Sequence, residues 1–295
     1  MRHLFAVLIR LWIGDPSHPE PPMRLTTRSS LAIALVALAL PAAAFAQEAS
    51  LPNLGENPAQ REARRAAMAP PVLQEDEQLQ SAIGSDARPA AEIARDVYRH
   101  PYESLTFWGL TPGMTVVEVE PGRAGWWSNI LKPYAAATGG TWIGAPKPVE
   151  TMGVADGAAD MVLVARAFHN WARDGRTEPY LAAFFKALKP GGILAVEQHR
   201  SEDGLNVATT APTGYVPESY VIRAAQAAGF VLEARSELNA NPADDHQHPF
   251  GVWTLKPTRA SAEDDGTKAL TPEQRAEYDA IGESDRMTLR FRKPG

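Results

Sequence analysis

The apolar positions of the chain follow two alternating patterns. Continuous runs of aliphatic and β-branched residues are typical of strands buried on both faces of a sheet. Apolar residues at helical spacing separate these runs, as in the segment from Tyr180 to Leu188. The predicted strands lie at 115–119, 141–143, 160–165, 193–197, 230–234, 250–255 and 287–291. Because strands and helices alternate, the sequence predicts a doubly wound, mostly parallel α/β sheet.

Two helical pieces are predicted before the first strand, within residues 86–110. Ile93 and Val97 share one face of the first piece, and Pro101 begins the second. Leu105, Phe107 and Trp108 are the apolar contacts of the second piece, and both pieces are expected to pack before the first strand.

The first strand ends in a turn made of small residues. Gly122, Ala124 and Gly125 allow the backbone to turn sharply into an amphipathic run that begins at Trp126. The free amides at the start of such a helix would face a ligand above the strand end. A turn of this kind can also simply connect a strand to a helix. The glycines alone therefore do not decide whether the turn binds a nucleotide-like ligand.

The N-terminal region predicts export. Residues 23–46 combine two arginines, an apolar core and the small-residue sequence Ala44-Phe45-Ala46, which is the pattern of a signal peptide cleaved before Gln47. The apolar core is too short to span about 30 Å of hydrocarbon, so no stable membrane insertion is expected after cleavage. We therefore expect a periplasmic protein. Residues 1–22 are interpreted as an upstream extension from a wrongly chosen start codon. Residues 47–85 are predicted to be a flexible arm, and 86–295 the folded domain.

The amino-acid composition of the chain excludes several kinds of site and partner. The chain is 44% hydrophobic and contains no cysteine, which excludes disulfides, thiolate metal sites and a cysteine nucleophile. The net charge is −6, and loss of residues 1–46 would make it −8, because four basic and two acidic residues leave with them. Since no basic patch is present, nucleic acid is not an expected partner. The sequence gives no indication of oligomeric state.

Several segments resemble a known family. They are the strand end Val117 to Gly122, the strand opening Ala159 to Val164, the turn Leu188 to Gly192, and the helix end Ala227 to Phe230. In this order they resemble class I S-adenosylmethionine-dependent methyltransferases. More narrowly, segments 95–101, 169–171, 236–242 and 281–287 resemble an exported branch of predicted methyltransferases.

The resemblance implies an S-adenosylmethionine site. Glu118 would be the acidic residue that ends the first strand, and Gly122, Ala124 and Gly125 would lie beneath the methionine part of the cofactor, next to Glu120. Two departures stand out. Glu120 and Ala124 replace glycines of the usual motif, and the interval 144–159 is too short for the strand and helix that family members carry there. We therefore expect a Rossmann-like sheet of the class I methyltransferase type that lacks one edge strand-helix unit, with no assigned ribose-binding carboxylate.

Polar residues that follow the predicted strands are the candidates for catalysis. In an open α/β sheet, ligands bind outside the carboxyl ends of the strands. Methyl transfer from a sulfonium needs an oriented acceptor and sometimes a base, and His169 or His199 could be that base. The alternative is that both histidines are structural and hydrogen-bond to the backbone of loops.

Six residues carry nitrogen or oxygen atoms that could bind a metal ion. These are Glu197, His199, Asp244, Asp245, His246 and His248. No motif of fixed spacing joins them, so we predict no metal and interpret 244–248 as a solvated loop.

Three functions remain. The leading hypothesis is an exported methyltransferase that uses S-adenosylmethionine on a small molecule. The alternative is a non-catalytic periplasmic binding protein on a degenerate methyltransferase fold, because the cofactor is made in the cytoplasm. A nicotinamide oxidoreductase is third, because the Gly-x-Gly-x-x-Gly motif is absent.

Overall fold

The computed structural model describes residues 75–295. The predicted upstream extension, the signal peptide and most of the predicted arm therefore lie outside the described residues. Four helices precede the sheet: α1 (Glu77–Ile83), α2 (Ala90–Ile93), α3 (Asp96–Arg99) and α4 (Pro101–Trp108). No helix within residues 75–295 has both the length and the apolar character needed to cross a membrane.

Strands and helices then alternate as the sequence predicts. The first half contains β1 (Thr115–Val119), α5 (Ser128–Thr138), β2 (Thr141–Ala145), β3 (Ala159–Ala165), α6 (Phe168–Arg173), α7 (Thr177–Ala187) and β4 (Leu188–Ser201). The second half contains α8 (Val207–Thr210), β5 (Val216–Pro217), α9 (Glu218–Ala227), β6 (Val231–Ser236), α10 (Pro272–Ile281) and β7 (Arg286–Arg292). Short 3-10 turns lie at Ala211–Thr213 and Gly251–Thr254.

The sheet has the order β2-β1-β3-β4-β7-β6, with the short β5 paired to β4 outside this path. The strands β2, β1, β3 and β4 are parallel, whereas β7 runs antiparallel to both β4 and β6. This confirms the predicted Rossmann-like fold class. The strand β2 lies at the edge of the sheet, and the chain passes from it to β3 through residues 146–158 without a further strand or helix. The predicted loss of one edge strand-helix unit is therefore also confirmed.

Each central strand contributes to two hydrophobic cores. Val117 and Val162 lie in the core covered by α7 and α9, while their neighbours Val116 and Met161 lie in the core covered by α1, α4 and α5. The side chains of a strand point alternately to opposite faces, so a run without polar interruptions can be buried on both sides. Each fully buried aliphatic side chain contributes about 1.5–3 kcal/mol to this packing. The cores hold the strand ends in place beneath the site described below.

Some local expectations about the N-terminal helices are wrong. The helix α1 lies within the predicted arm, yet Leu79 is buried in the core and Asp76 caps the helix by accepting a hydrogen bond from the Leu79 amide at 2.9 Å. The ordered domain thus begins before residue 86. Ile93 and Val97, predicted to share one face of a single helix, lie on the separate helices α2 and α3 and are 40% and 68% exposed. The buried side chain on α3 is that of Arg99.

Two expectations about the strands also need correction. The segment 250–255 is not extended, because Gly251 has φ +55° and the hydroxyl of Thr254 accepts a hydrogen bond from the Phe250 amide at 3.0 Å, which closes a tight turn. The strand β4 starts at Leu188 rather than at residue 193. Its register against β3 shifts between Ala159 and Met161, so the predicted glycine turn is absorbed as an irregularity in the strand.

Candidate functional site

A cavity of about 230 Å³ lies at the carboxyl ends of β1, β3 and β4. The segment from Val252 to Thr258 contributes a further wall through Trp253 and Lys256. The cavity is also lined by the predicted residues Glu118, Glu120, Gly122, His169 and His199, together with Trp126, Trp127, Arg166 and Asn170. Ala124 and Gly125, which were predicted to bind the cofactor, do not line it.

Glu118 is held at the end of β1 by two donors. The Ser128 hydroxyl and the Trp142 indole N–H both donate to Oε2, at 2.8 and 2.9 Å. Burial raises the pKa of Glu118, and these two hydrogen bonds oppose the rise. No residue within 75–295 donates to Oε1. This oxygen is therefore the atom of Glu118 that can accept a hydrogen bond from a ligand in the cavity.

Glu120 occupies a position that favours glycine. Its φ of +47° is left-handed, a conformation that costs an L-residue about 1–2 kcal/mol. The Asn170 side-chain amide and the Tyr180 hydroxyl donate to its carboxylate at 3.2 and 3.3 Å, which holds the side chain in place. Burial raises the pKa of Glu120 against these hydrogen bonds. The chain thus makes a left-handed turn at Glu120 without a glycine at this residue.

The turn after β1 combines open space with close packing. Gly122 has φ +70°, and a Cβ at this residue would meet no atom within 4 Å, so its backbone is open to a ligand. Gly125 also has a left-handed φ of +61°, and a Cβ there would lie 3.3 Å from Ser128, so both backbone conformation and packing favour glycine. The helix α5 begins at Ser128, two residues later than predicted, and its N-terminus has no side-chain cap. Trp126 and Trp127 belong to the turn and line the cavity.

The two candidate histidines lie side by side. Their ring centroids are 5.9 Å apart, with His169 on α6 and His199 on β4. Burial lowers the pKa of His169 to about 4, and the positive charges of Arg173 and Arg166 add to this. Burial also holds the pKa of His199 well below its usual range, and the positive charges of Arg166 and other nearby arginines add to this. Both imidazoles are therefore neutral near pH 7.

Each ring has a polar neighbour at Nδ1. The Gln198 amide nitrogen donates to the Gly214 carbonyl at 2.9 Å and to the His199 carbonyl at 3.3 Å, and it lies 3.4 Å from His169 Nδ1. His199 Nδ1 lies 2.6 Å from the Ser284 hydroxyl. With Nδ1 as the donor in this contact, Nε2 carries no proton, which makes His199 the better candidate for a base.

A buried ion network lies behind the cavity. Glu283 pairs with Arg95 at 2.6 Å, Arg99 at 3.1 Å and Arg286 at 3.1 Å, and Arg286 also pairs with Glu197 at 2.9 Å. Burial raises the pKa of Glu283, but the nearby arginines outweigh it and bring the pKa to about 2. Four of these residues lie in segments 95–101 and 281–287. These segments resemble the exported branch in sequence, but the resemblance assigns them no role. Sequence reasoning missed the network because buried charges have no periodic pattern.

The loop that was expected to be solvated is in part buried. Asp244 is 4% exposed and accepts hydrogen bonds from His248 Nε2 at 2.7 Å, from Tyr215 and from the backbone amides of His246 and Asp285. Asp244, Asp245 and His248 offer atoms within 4.8 Å of one another that could hold a metal ion. Because the oxygens of Asp244 are already used, this cluster is explained as an anchor for the loop. Glu197 is paired with Arg286 instead.

Comparison with known proteins gives similarity of fold only. No model of a known protein family matches the chain, and no curated protein matches it. Among solved structures, a proposed sarcosine dimethylglycine methyltransferase from Galdieria sulphuraria aligns with a TM-score of 0.44 and 14% identity over 79% of this chain and 98% of that chain. The cyclase SpnF aligns with a TM-score of 0.44 and 17% identity over 74% and 93%. A 1,6-didemethyltoxoflavin-N1-methyltransferase from Burkholderia thailandensis, solved with S-adenosylhomocysteine, aligns with 0.39 and 13% over 81% and 92%.

Proposed function

We propose that the protein is an exported S-adenosylmethionine-dependent methyltransferase that acts on a small molecule. One observation carries the proposal: the acidic residue and glycine of the predicted cofactor turn line the same cavity as two neutral imidazoles. This cavity lies at the carboxyl ends of parallel strands, where open α/β sheets bind their ligands. The proposal also rests on the sequence segments that resemble this family.

The residues fit one part of the cofactor better than the other. Gly122 leaves open space beside the strand end, and Glu118 Oε1 is free to accept a hydrogen bond, so these two residues would hold the methionine part. The strand β2 ends at Ala145, and the cavity is lined by no carboxylates within residues 75–295 other than Glu118 and Glu120. The ribose hydroxyls would lack their usual acceptor. A buried polar group left unpaired costs about 1–3 kcal/mol, so we expect weak binding of the cofactor.

S-adenosylmethionine, when bound, supplies a methyl group that is already activated for transfer. The chain then has to orient the acceptor, exclude water and take up a proton. His199 Nε2 would accept the acceptor's proton, because its ring is neutral and its Nδ1 is held by Ser284. His169, which lines the cavity, would orient the acceptor through a hydrogen bond. Trp253 lies 5.9 Å from the His169 ring centroid and shields this side of the cavity from water.

A non-catalytic binding protein is the second candidate, favoured by the size of the cavity. Its volume of about 230 Å³ is smaller than the ~300–1,000 Å³ of typical ligand pockets. A cofactor of nucleoside size would require the segment from Val252 to Thr258 to move outward. A small ligand bound alone would require no movement.

Calorimetry of the mature protein with S-adenosylmethionine and S-adenosylhomocysteine separates the two candidates. We expect both to bind, and we expect Glu118→Gln to weaken binding about tenfold by removing a charged acceptor. Glu178→Gln is the matched control, since Glu178 is exposed on α7 and does not line the cavity. If neither compound binds at millimolar concentration, the binding-protein function replaces the methyltransferase. Binding that is unchanged by Glu118→Gln would place the cofactor elsewhere.

A further inference from the structure

The buried charges behind the cavity do not balance. Four arginines lie close to one another: Arg95, Arg99, Arg166 and Arg286. Within residues 75–295, the carboxylates that act most strongly on Arg166 and Arg99 are those of Glu197 and Glu283. Glu118 also acts on Arg166, from the opposite side of the cavity. A buried positive charge without a partner is costly, so an excess of cations beside a cavity indicates a place for an anion.

The unused hydrogen-bond donors point to the same place. Arg166 lines the cavity, and its side chain forms no hydrogen bond or ion pair with any residue in 75–295. Arg99 is completely buried, and neither of its terminal nitrogens has a partner among the same residues. The guanidinium of Arg99 lies 4.6 Å from the ring of Trp126, which lines the cavity. The donor set nearest the ligand space is therefore that of Arg166, with Arg99 adding positive potential behind it.

A second cation reaches the cavity from the segment that forms its further wall. Lys256 lines the cavity; its ammonium forms no ion pair with the described part of the chain, although its charge helps to lower the pKa of Asp279. The Lys256 amide donates to the Gly282 carbonyl at 3.1 Å, which ties this segment to the end of α10. Arg166 at the end of β3 and Lys256 on a separate segment thus both line the cavity. A planar guanidinium matches the paired oxygens of a carboxylate or phosphate.

We propose that the ligand turned over or held in this cavity carries an anionic oxygen group, a carboxylate or a phosphate, bound by Arg166 and Lys256. This names the substrate class for the proposed function, and it applies equally to a binding protein that uses the same cavity. The anion lies beside His199, whose neutral ring does not repel it, while Glu118 and Glu120 exclude it from the β1 side of the cavity. The reacting group of the substrate then extends toward the cofactor turn.

Isothermal titration of the mature protein with benzoate tests the proposal, with benzamide as the neutral counterpart of the same shape. Inorganic phosphate is titrated separately to distinguish the two anionic groups. We expect benzoate or phosphate to bind, and benzamide to bind at least about tenfold more weakly. Added salt should weaken the binding of the anions but not that of benzamide. Arg166→Gln should weaken anion binding about 10- to 100-fold, whereas Arg166→Lys should retain part of it.

The controls show whether a loss of anion binding comes from the site itself, from the change in net charge or from unfolding. Arg223→Gln removes one positive charge from an exposed residue of α9 that lines no part of the cavity, and it should leave binding unchanged. Far-ultraviolet circular dichroism reports whether each variant is folded. If Arg166→Gln is unfolded, Lys256→Gln provides the same test from the other wall.

Three outcomes would overturn the proposal. They are equal affinity for benzoate and benzamide, no binding of either anion, and anion binding that survives both substitutions. A fourth measurement repeats the anion titration in saturating S-adenosylhomocysteine. Competition would mean that the cations hold the cofactor's own carboxylate, which contradicts the assignment to the substrate. Failure of S-adenosylhomocysteine to bind would reject the methyltransferase function and leave the anion result intact.

Discussion

Acid should destabilise the protein through His169, because its ring is neutral in the folded chain and becomes charged on unfolding. Burial lowers the pKa of His169 from 6.5 to about 4. Between these two values the unfolded chain binds more protons than the folded chain, so the free energy of unfolding falls as the pH falls. The stability is fully present above pH 6.5 and the loss is complete below about pH 4.

The size of the effect follows from the two pKa values. At pH 5, an unfolded histidine with a pKa of 6.5 is almost entirely protonated, while a folded pKa of about 4 leaves His169 mostly neutral. This difference removes about 2 kcal/mol of stability between pH 7.5 and pH 5. A domain of ordinary stability, about 5–15 kcal/mol, would remain folded, so the loss can be measured at equilibrium.

Urea denaturation at pH 7.5 and pH 5 measures the loss in the wild type and in His169→Gln. We expect the variant to lose about 2 kcal/mol less than the wild type over this interval. His246→Gln is a contrasting variant. Burial lowers the pKa of His246, but its hydrogen bond to Asp285 raises it, and the balance lies above the usual value. His246 therefore stabilises the fold in acid, and its removal should enlarge the loss. Equal losses in the wild type and His169→Gln would refute a buried neutral ring.

Two further predictions concern the buried network and export. Glu283→Gln should cost about 3–5 kcal/mol in urea denaturation, because three buried arginines lose their shared carboxylate. Glu233→Gln, which removes a more exposed carboxylate paired with Arg290 and Arg292, should cost less than about 1 kcal/mol, and a similar cost for both would contradict the network's role. Because we propose export, we expect the intact mass of protein recovered from the periplasm to correspond to a chain that begins at Gln47; retention of residues 23–46 would instead indicate a membrane-tethered protein.

The sheet was predictable because its strands are buried on both faces. Residues 115–119 and 160–165 have no polar face, and this pattern belongs to a central parallel strand rather than to a surface strand. The short interval 144–159 similarly revealed the missing edge unit, because a strand and a helix need more residues than it contains. The strand ends could be assigned to one edge of the sheet from parallel order alone. That is why the histidines could be expected beside Glu118.

The wall made by the segment from Val252 to Thr258 was not predictable in the same way. Its apolar residues resemble a strand in sequence, and only the turn at Gly251 and the contacts of Trp253 with His169 reveal its position. Arg166 was visible as a residue following β3, but an arginine at a strand end is usually solvated. Whether the Arg166 side chain finds a hydrogen-bond partner depends on residues that are distant in sequence. Local patterns contain no information about such absences.

The edge strand β2 supports Glu118 directly. The indole of Trp142 on β2 donates to Glu118, and the ammonium of Lys132, on α5, lies 4.2 Å from the centroid of the Trp142 ring. Glycine is required at residue 144, because a Cβ there would lie 2.9 Å from the Trp142 ring. The edge strand is therefore packed and hydrogen-bonded to the acidic residue at the end of β1. Since Oε2 is already used in this way, a ligand would engage Glu118 through Oε1.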